Sequence, residues 1–449
     1  MKVGWFQPVA ILLVTGCTVG PDPVTPDIGV ADTFENRPGV PIPPIRDDWY
    51  TSFEDPVLVE LAEAALANNI GLSAARANLA VARANATAAS ADLLPTLDGF
   101  SNTQISGPLS GGVDADTNLS TGLSLDFDPD ISGRNKRSLE AATARFDAAA
   151  LSVADLRRLI VEDLVLEYIS LRRAGARLTL LDENLDLQAR TLEIVQARFD
   201  AGLSPALDVD RAAADFARSR AQRGQLEASR KQAGFALSVL TGEPPRSDQF
   251  GDPASDIIPS YGADPEPGIP ADLLRNRADV RQAEAILLVE TALIGVETAD
   301  LYPSLRIPGT LTGRTGSGAD DLNFSFGALI DVPMLDFGRR QAELEAQEAR
   351  ALAALENYKL TVLDAQQDVE AALTQVDAFR QQRAELQNAG ERSQAAYDQL
   401  DALYREGLAG FIDVLDAQRT LIQIREQIVD SDAAIASSLA RLSAALGGF

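Results

Sequence analysis

Two carboxylates, Asp413 and Asp416, are spaced so that they can act together. They follow a glycine-containing turn at 407–410 and open a proline-free stretch that predicts a helix. Side chains three residues apart on a helix share a face, so the two charges would repel each other and attract cations. The alternative is structural, because acidic side chains near a helix N-terminus are stabilised by the unpaired N–H groups there. Both interpretations are open at this point.

The residue types exclude most catalytic chemistry. The chain has no histidine and one cysteine, Cys17, so the usual zinc, haem and iron–sulfur ligand sets cannot be assembled. We therefore expect no metal and no cofactor. The commonest general base is missing, and no paired-carboxylate hydrolase motif is present, so we do not expect an enzyme. A formal charge of −27 argues against nucleic acid as a partner, because phosphate contacts need clustered Lys and Arg.

Cys17 follows a segment, 1–16, with the layout of a secretory signal: a positive charge, a short apolar run and small residues before the cysteine. The pattern resembles a bacterial lipobox, with Cys17 as the lipidated first residue of the mature chain. Thr18 stands where an aspartate would favour retention at the inner membrane, so anchoring in outer-membrane lipid is expected. The alternative is a buried structural cysteine or a poorly formed signal. The proline-rich segment 17–47 predicts an extended tether.

The rest of the chain repeats itself, because four markers return in the same order at nearly one offset. The repeated markers are 91–97 with 299–305, Gly133-Arg134 with Gly338-Arg339, Gly202-Leu203 with Gly407-Leu408, and Asp208-Val209 with Asp413-Val414. The first offset is 299 − 91 = 208 residues and the other three are 205. This period is too long for a solenoid unit. It predicts two copies of one structural module, at 48–240 and 271–449, joined by an irregular segment at 241–270.

Each copy carries the same predicted elements in the same order. They are a helix (56–93 and 271–301), a β-hairpin with period-two alternation (near 97–128 and 305–333), a long helix (133–202 and 338–407) and a shorter helix (206–240 and 411–446). A helix of roughly 65 residues would be about 100 Å long. The predicted fold class is therefore mainly α with a small transmembrane β part, built from tandem-duplicated long helical hairpins.

The four predicted strands fit a membrane only if several chains share them. Each hairpin is about ten residues tall, the height of an outer-membrane barrel strand. No other stretch approaches the roughly 20 apolar residues of a membrane-spanning helix, so a crossing would use strands. Four strands cannot close a barrel, and unpaired strand edges are not tolerated in lipid. The alternative is a small soluble sheet formed by the two hairpins.

Three segments resemble one family: 49–58, 269–284 and the mature start 17–22. Together with the order of elements, they are similar to the TolC-like outer-membrane factors, in particular the lipoprotein branch of multidrug efflux systems. The resemblance covers nearly the whole chain, with Ala278 standing where the family often has proline. It implies a homotrimer whose chains supply four strands each to a shared 12-stranded β-barrel, above an α-barrel that crosses the periplasm.

The resemblance also implies a function. The duct would passively conduct drugs or other small molecules, driven by an inner-membrane transporter of the RND type and reached through a periplasmic adaptor (membrane fusion) protein. A duct for type I polypeptide secretion is the alternative within this class. A structural coiled-coil protein is the alternative outside it, although such a protein would not need lipid-facing hairpins at matched positions.

Family likeness assigns roles to residues of the predicted periplasmic tip. Asp413 and Asp416 match the aperture aspartates, which would form acidic rings in a constriction. Asp208 and Tyr404 match positions that help to lock neighbouring hairpins in some members, although Ala409 stands where those members carry arginine. The residues assigned to the tip turns and to adaptor docking are Gly202, Leu203, Gly407 and Leu408.

Overall fold

The structure is a computed structural model of the 449-residue chain. It describes residues 18–22, 24, 28–29, 33–35, 48–107, 116–247, 256–262, 268–316 and 321–447. Cys17, the predicted signal and most of the predicted tether lie outside the described residues. The chain divides into two compact units of three stretches each. Unit 1 comprises Met1–Ile28, Ala77–Leu151 and Arg281–Leu360, and unit 2 comprises Gly29–Arg76, Ser152–Val280 and Thr361–Phe449.

The described residues contain eight helices and five strands, with a 3-10 turn at Trp49–Phe53. The helices are α1 (Pro56–Asn68), α2 (Ile70–Ala91), α3 (Arg134–Asp200), α4 (Ala206–Leu240), α5 (Pro270–Asn276), α6 (Ala278–Ala299), α7 (Arg339–Arg405) and α8 (Phe411–Ala445). The strands are β1 (Thr96–Ser106), β2 (Asp116–Phe127), β3 (Ser304–Gly316), β4 (Asp321–Phe326) and β5 (Leu329–Asp331). The mainly helical fold class predicted from the sequence is confirmed.

The first helix of each half is broken by one extended residue, whereas an uninterrupted helix was predicted in both places. The breaks fall at Asn69, with ψ 126°, and at Arg277, with ψ 123°. They are 277 − 69 = 208 residues apart, the offset of the first sequence marker. Two side-chain hydrogen bonds stabilise the break at Asn69. Its Oδ1 accepts the Leu72 N–H at 3.0 Å, as an N-cap does, and its amide donates to the Leu240 carbonyl at 2.9 Å.

The stretch Pro56–Ala91 is long and apolar enough, by length and composition, to cross a membrane; its best window has a mean hydropathy of 1.2 and is 33% buried. The expectation that no such stretch exists was therefore wrong. The joint at Asn69 divides the stretch into two helices. Leu58, Ala62 and Leu72 are fully buried in the core of unit 2. The beginning of the stretch is therefore part of the core of unit 2. A helix buried in a protein core passes the same hydropathy test as a membrane-spanning helix.

An antiparallel sheet forms the β part of unit 1, with β1, β2, β3 and β4 paired in chain order and β5 paired to β3. The hairpin predicted near 305–333 would have two strands, but the structure splits the second of them into β4 and β5. Both pieces keep one register against β3. The break lies opposite Pro308, which has no N–H to donate, while Gly327 N–H still donates to the Pro308 carbonyl at 3.0 Å.

The long helices carry the remaining mass of the chain. Helices α3 and α7 have 67 residues each, and α4 and α8 have 35 each. At about 1.5 Å per residue, each of the two longest helices measures about 100 Å. In unit 2, α3 and α8 contribute to a core that also holds Trp49, Phe53 and Leu58. A second cluster in unit 2 surrounds Tyr404 and Phe411.

Candidate functional sites at the helix turns and on the sheet

The turns that follow α3 and α7 have the same backbone conformation. In the first, Gly202 has φ 72° and Leu203 N–H donates to the Arg198 carbonyl at 2.8 Å. The second repeats this with φ 78° at Gly407 and a 2.8 Å bond from Leu408 N–H to the carbonyl five residues earlier. Both are Schellman caps, in which glycine supplies the left-handed residue that other residues adopt only at a cost.

These turns present small and apolar groups on their surface. Leu203 is 67% exposed and Leu408 is 72% exposed. A Cβ added to Gly202 would meet nothing within 4 Å, and one added to Gly407 would meet only the Arg198 guanidinium at 3.8 Å. The four residues assigned to the tip from the sequence therefore lie in two matching, accessible turns.

Arg198 ties the end of α3 to the end of α7, a contact that was not predicted. Its Nη1 donates to the Tyr404 carbonyl at 3.1 Å, and its guanidinium carbon lies 4.7 Å from the centre of the Tyr404 ring. The first contact satisfies a carbonyl in the last turn of α7, and the second is a cation–π interaction. The Tyr404 ring packs against Phe411, with 5.8 Å between ring centroids. Tyr404 is thus held within its own chain.

The polar groups around Tyr404 form a small, partly buried cluster. The hydroxyls of Tyr404 and Ser204 are both buried and lack a hydrogen bond of normal geometry within the described residues. Burial raises the pKa of Tyr404, while the nearby Ser204 hydroxyl and Arg198 guanidinium act in the opposite direction. The negative charge of Asp208 adds a smaller increase to this pKa. Asp208 and Tyr404, assigned together from the sequence, therefore lie within electrostatic range of each other.

Asp413 and Asp416 occupy the first two turns of α8, and both are exposed. The Asp413 carboxylate accepts the Gly410 N–H at 3.3 Å, so the helix-capping alternative is realised at this position. Asp416 lies 3.4 Å from Arg419, which also binds Asp215 at 2.5 and 2.7 Å. An exposed pair of this kind contributes little energy. Capping does not remove either charge from solvent.

The sheet has one apolar face and one polar face. The register places the following residues on the apolar face: Leu97, Ile105, Leu119, Leu123, Leu125, Phe127, Leu305, Ile307, Leu311, Leu322, Phe324, Phe326 and Ile330. Phe324 is 84% exposed and Phe326 is 71% exposed. A continuous exposed apolar surface marks contact with a membrane or with another protein.

The opposite face of the sheet carries mainly polar and charged side chains, with Phe100, Pro308 and Leu329 as its apolar members. Arg306 donates to the Asp126 carboxylate at 2.7 Å, and the hydroxyls of Thr310 and Ser325 lie 2.7 Å apart. Within the described residues, β1 and β4 each pair with a strand on one side only. The sheet thus combines one apolar face and one mainly polar face. Its two outer strands, β1 and β4, have no neighbour on their outer side among the described residues.

The chain belongs to the outer membrane efflux protein family, whose model matches residues 61–243 and 269–448. Its relatives are TolC-like outer-membrane factors, which are efflux channel proteins and not enzymes. The family assignment and the expectation of a non-enzymatic protein are both confirmed.

Similar proteins span nearly the full length of the chain. Nodulation protein T of Rhizobium leguminosarum bv. viciae is 31% identical over 445 residues, which cover 98% of this chain and 92% of that protein. The pyoverdine export outer membrane protein OpmQ of Pseudomonas aeruginosa is 30% identical over 418 residues, covering 89% of this chain and 85% of OpmQ.

Two solved channel structures show the same fold. The outer-membrane channel OprN matches with a TM-score of 0.90 and 30% identity, covering 96% of this chain and 99% of that one. CusC matches with a TM-score of 0.85 and 26% identity, covering 96% and 100%. The fold of this chain is therefore that of an outer-membrane efflux channel over its described length.

Proposed function

We propose that this chain is the outer-membrane exit duct of a tripartite efflux pump. Drugs or other small molecules would pass through it passively from an inner-membrane transporter of the RND type and a periplasmic adaptor. The observation that carries the proposal is the sheet of unit 1, which is apolar on one face, polar on the other and open at both edges. A sheet of this kind is suited to lipid on one side and a water-filled lumen on the other.

The open edges require more than one chain in the membrane. Unpaired N–H and C=O groups in lipid cost several kcal/mol each, so a lone four-stranded sheet would not be stable there. Three chains, each supplying β1, β2, β3 and the combined β4–β5 strand, would close a 12-stranded barrel. The Arg306–Asp126 pair would then face the lumen, where its charges remain hydrated.

The long helices supply the periplasmic part of the duct. Helices α3 and α7, at about 100 Å each, are several times longer than the roughly 30 Å hydrocarbon core of a bilayer. Each begins a few residues after a strand ends, so membrane and periplasmic parts follow directly in the chain. We assign the two exposed turns, with Gly202, Leu203, Gly407 and Leu408, to docking of the adaptor.

We propose that Asp413 and Asp416 form the periplasmic gate. In a homotrimer each residue would occur three times around one axis, so their like charges would attract cations and resist close approach of the helices. Arg419 partly compensates Asp416, which makes Asp413 the stronger contributor. Asp208 and Tyr404 are assigned to holding the hairpin ends together, with Arg198 added as the residue that contacts Tyr404.

The remaining assignments concern the ends of the chain and its division. We propose that 1–16 is a signal peptide and that 17–47 is a tether, lipidated at Cys17 and anchored in the outer membrane. The two repeats are 48–240 and 271–449, with 241–270 as an equatorial connector. The relatives support a small-molecule cargo, because their names refer to pyoverdine export, cation efflux and toluene efflux.

Single-channel conductance of the purified protein in planar bilayers tests the duct and the gate together. We expect a small, cation-selective conductance that rises and loses selectivity when Asp413→Ala and Asp416→Ala are combined. The matched control combines Glu345→Ala and Glu348→Ala, which removes two exposed carboxylates of the same spacing near the start of α7. Absence of channels from folded protein would refute the duct, and equal responses of both double variants would refute the gate.

A further inference from the structure

Residues 18–22, which follow Cys17, pack closely against other parts of unit 1. Val19 N–H donates to the Ser132 carbonyl at 3.2 Å. A Cβ added to Gly133 would lie only 2.7 Å from the Thr18 Cα, so the two backbones are in close contact. Gly133 is the residue before α3 and has φ 78°. The segment is therefore packed where the chain leaves β2 and enters α3.

The Arg137 side chain holds residues 18–22 mainly through hydrogen bonds to the backbone carbonyls of that segment. Its Nε donates to the Val19 carbonyl at 3.1 Å, and its Nη2 donates to the Gly20 carbonyl at 3.2 Å and the Asp22 carboxylate at 2.9 Å. Nη1 donates to Glu140 at 2.8 Å. Arg137 is 2% exposed, and these bonds compensate for removing its charge from water. Three of its bonds reach residues 115 to 118 positions away in the chain.

Two glycines, Gly20 and Gly295, allow the backbone of the segment to approach α6 and Arg137 closely. A Cβ added to Gly20 would lie 2.5 Å from the Gly295 Cα, and one added to Gly295 would lie 2.6 Å from the Arg137 Cγ. Gly20 also has φ 89°, which disfavours any side chain. A larger residue at either glycine would displace the segment or α6. Shape and hydrogen bonding therefore select the same position for residues 18–22.

We propose that this clasp, formed by Arg137, Gly133 and Gly295 around residues 18–22, fixes the position of the lipid anchor beside the base of the sheet. The inference rests on the proposed function, in which Cys17 is lipidated and the sheet lies in the membrane. Cys17 directly precedes Thr18 in the chain, so the lipidated residue would be the immediate neighbour of the clasped segment. The acyl chains would begin next to the junction of β2 and α3.

Mobility of the segment in the full-length protein in lipid vesicles tests the clasp. A spin label is placed at Val24→Cys, because Val24 is 75% exposed and the only native cysteine, Cys17, would be acylated in the mature chain under the proposed function. We expect the immobile fraction of the label to fall at least two-fold when Arg137→Gln is added. Gly20→Ala should give the same loss from the tether side, without altering the helices. Arg137→Lys should give an intermediate value.

The matched control is Arg145→Gln, which removes an exposed charge about two turns further along α3. Its label should remain as immobile as in the parent. Equal immobility in the Arg137→Gln, Gly20→Ala and Arg145→Gln proteins would overturn the clasp. Conductance of the same samples separates the two proposals: a label that depends on Arg137 without channels would support the clasp and refute the duct, and channels with an unaffected label would do the reverse.

Discussion

Replacing Arg198 with alanine should loosen the contact between the ends of α3 and α7. The substitution removes a 3.1 Å hydrogen bond from a charged donor to the Tyr404 carbonyl and a guanidinium placed 4.7 Å from the ring centre. The hydrogen bond contributes about 1.5–3 kcal/mol and the cation–π contact about 0.5–1 kcal/mol at partly exposed sites. Because Arg198 is only half-buried, we take the lower ends, which give a local loss of about 2 kcal/mol.

Native-state hydrogen exchange measures this loss of stability at the amides of the turn after α7. The reporting amides are Gly407, which donates to the Tyr404 carbonyl, and Leu408, which donates to the carbonyl five residues earlier. At about 1.4 kcal/mol per factor of ten, we expect roughly 30-fold faster exchange in a peptide covering this turn. Arg220→Ala, at an exposed arginine of α4, is the control and should change nothing. Unchanged exchange in Arg198→Ala, or equal acceleration in the control, would refute the assigned contact.

Substitutions at three further positions have defined outcomes. Asn69→Ala removes the cap on Leu72 and the bond to Leu240, so it should cost about 2 kcal/mol in thermal unfolding, and Asn69→Ser about half of that because serine keeps an N-cap acceptor; equal losses would contradict the capping role. Pro308→Val supplies the missing donor, so amides of β4 and β5 should exchange about five-fold more slowly, for a bond of about 1 kcal/mol; no slowing would contradict the explanation of the strand break. Burial raises the pKa of Asp279, but pairing with Arg277 at 2.6 and 3.0 Å brings it below its ordinary value. A lowered folded-state pKa gives stability that is present at neutral pH and is lost as the pH falls through that pKa, so below about pH 4 wild type should lose more stability than Asp279→Asn; parallel profiles of unfolding midpoint against pH would exclude this contribution.

Local patterns predicted the elements of the fold well where one property dominates. The period-two alternation of β2 and the absence of proline in α3 and α7 each identify an element without knowledge of its neighbours. The joint at Asn69 was missed because the alanine-rich composition around it favours a continuous helix. Asn69 itself was a usable signal, since asparagine is a preferred N-cap. Pro308 was likewise a visible reason to expect a break in the facing strand.

The candidate sites could be located from the sequence only where a local conformation favours a particular residue type. The glycine turns at 202 and 407 could be located because a Schellman cap strongly favours glycine at its left-handed position. Arg198 was missed because its partner, Tyr404, lies 206 residues away. The packing of residues 18–22 depends on Arg137, more than 110 residues along the chain. Neither pairing leaves a periodic pattern, so only the fold brings these partners together.

Covalent trapping of the barrel seam tests directly whether copies of the chain share their strands. Asn102→Cys in β1 is combined in turn with Asp321→Cys, Asn323→Cys or Ser325→Cys in β4, all on the polar face of the sheet. If β1 of one copy lies beside β4 of the next, oxidation in membranes should give a covalent ladder that ends at three chains for at least one pairing. Single-cysteine variants should give none. A folded, membrane-bound protein that forms no product between chains at any register would contradict the shared barrel.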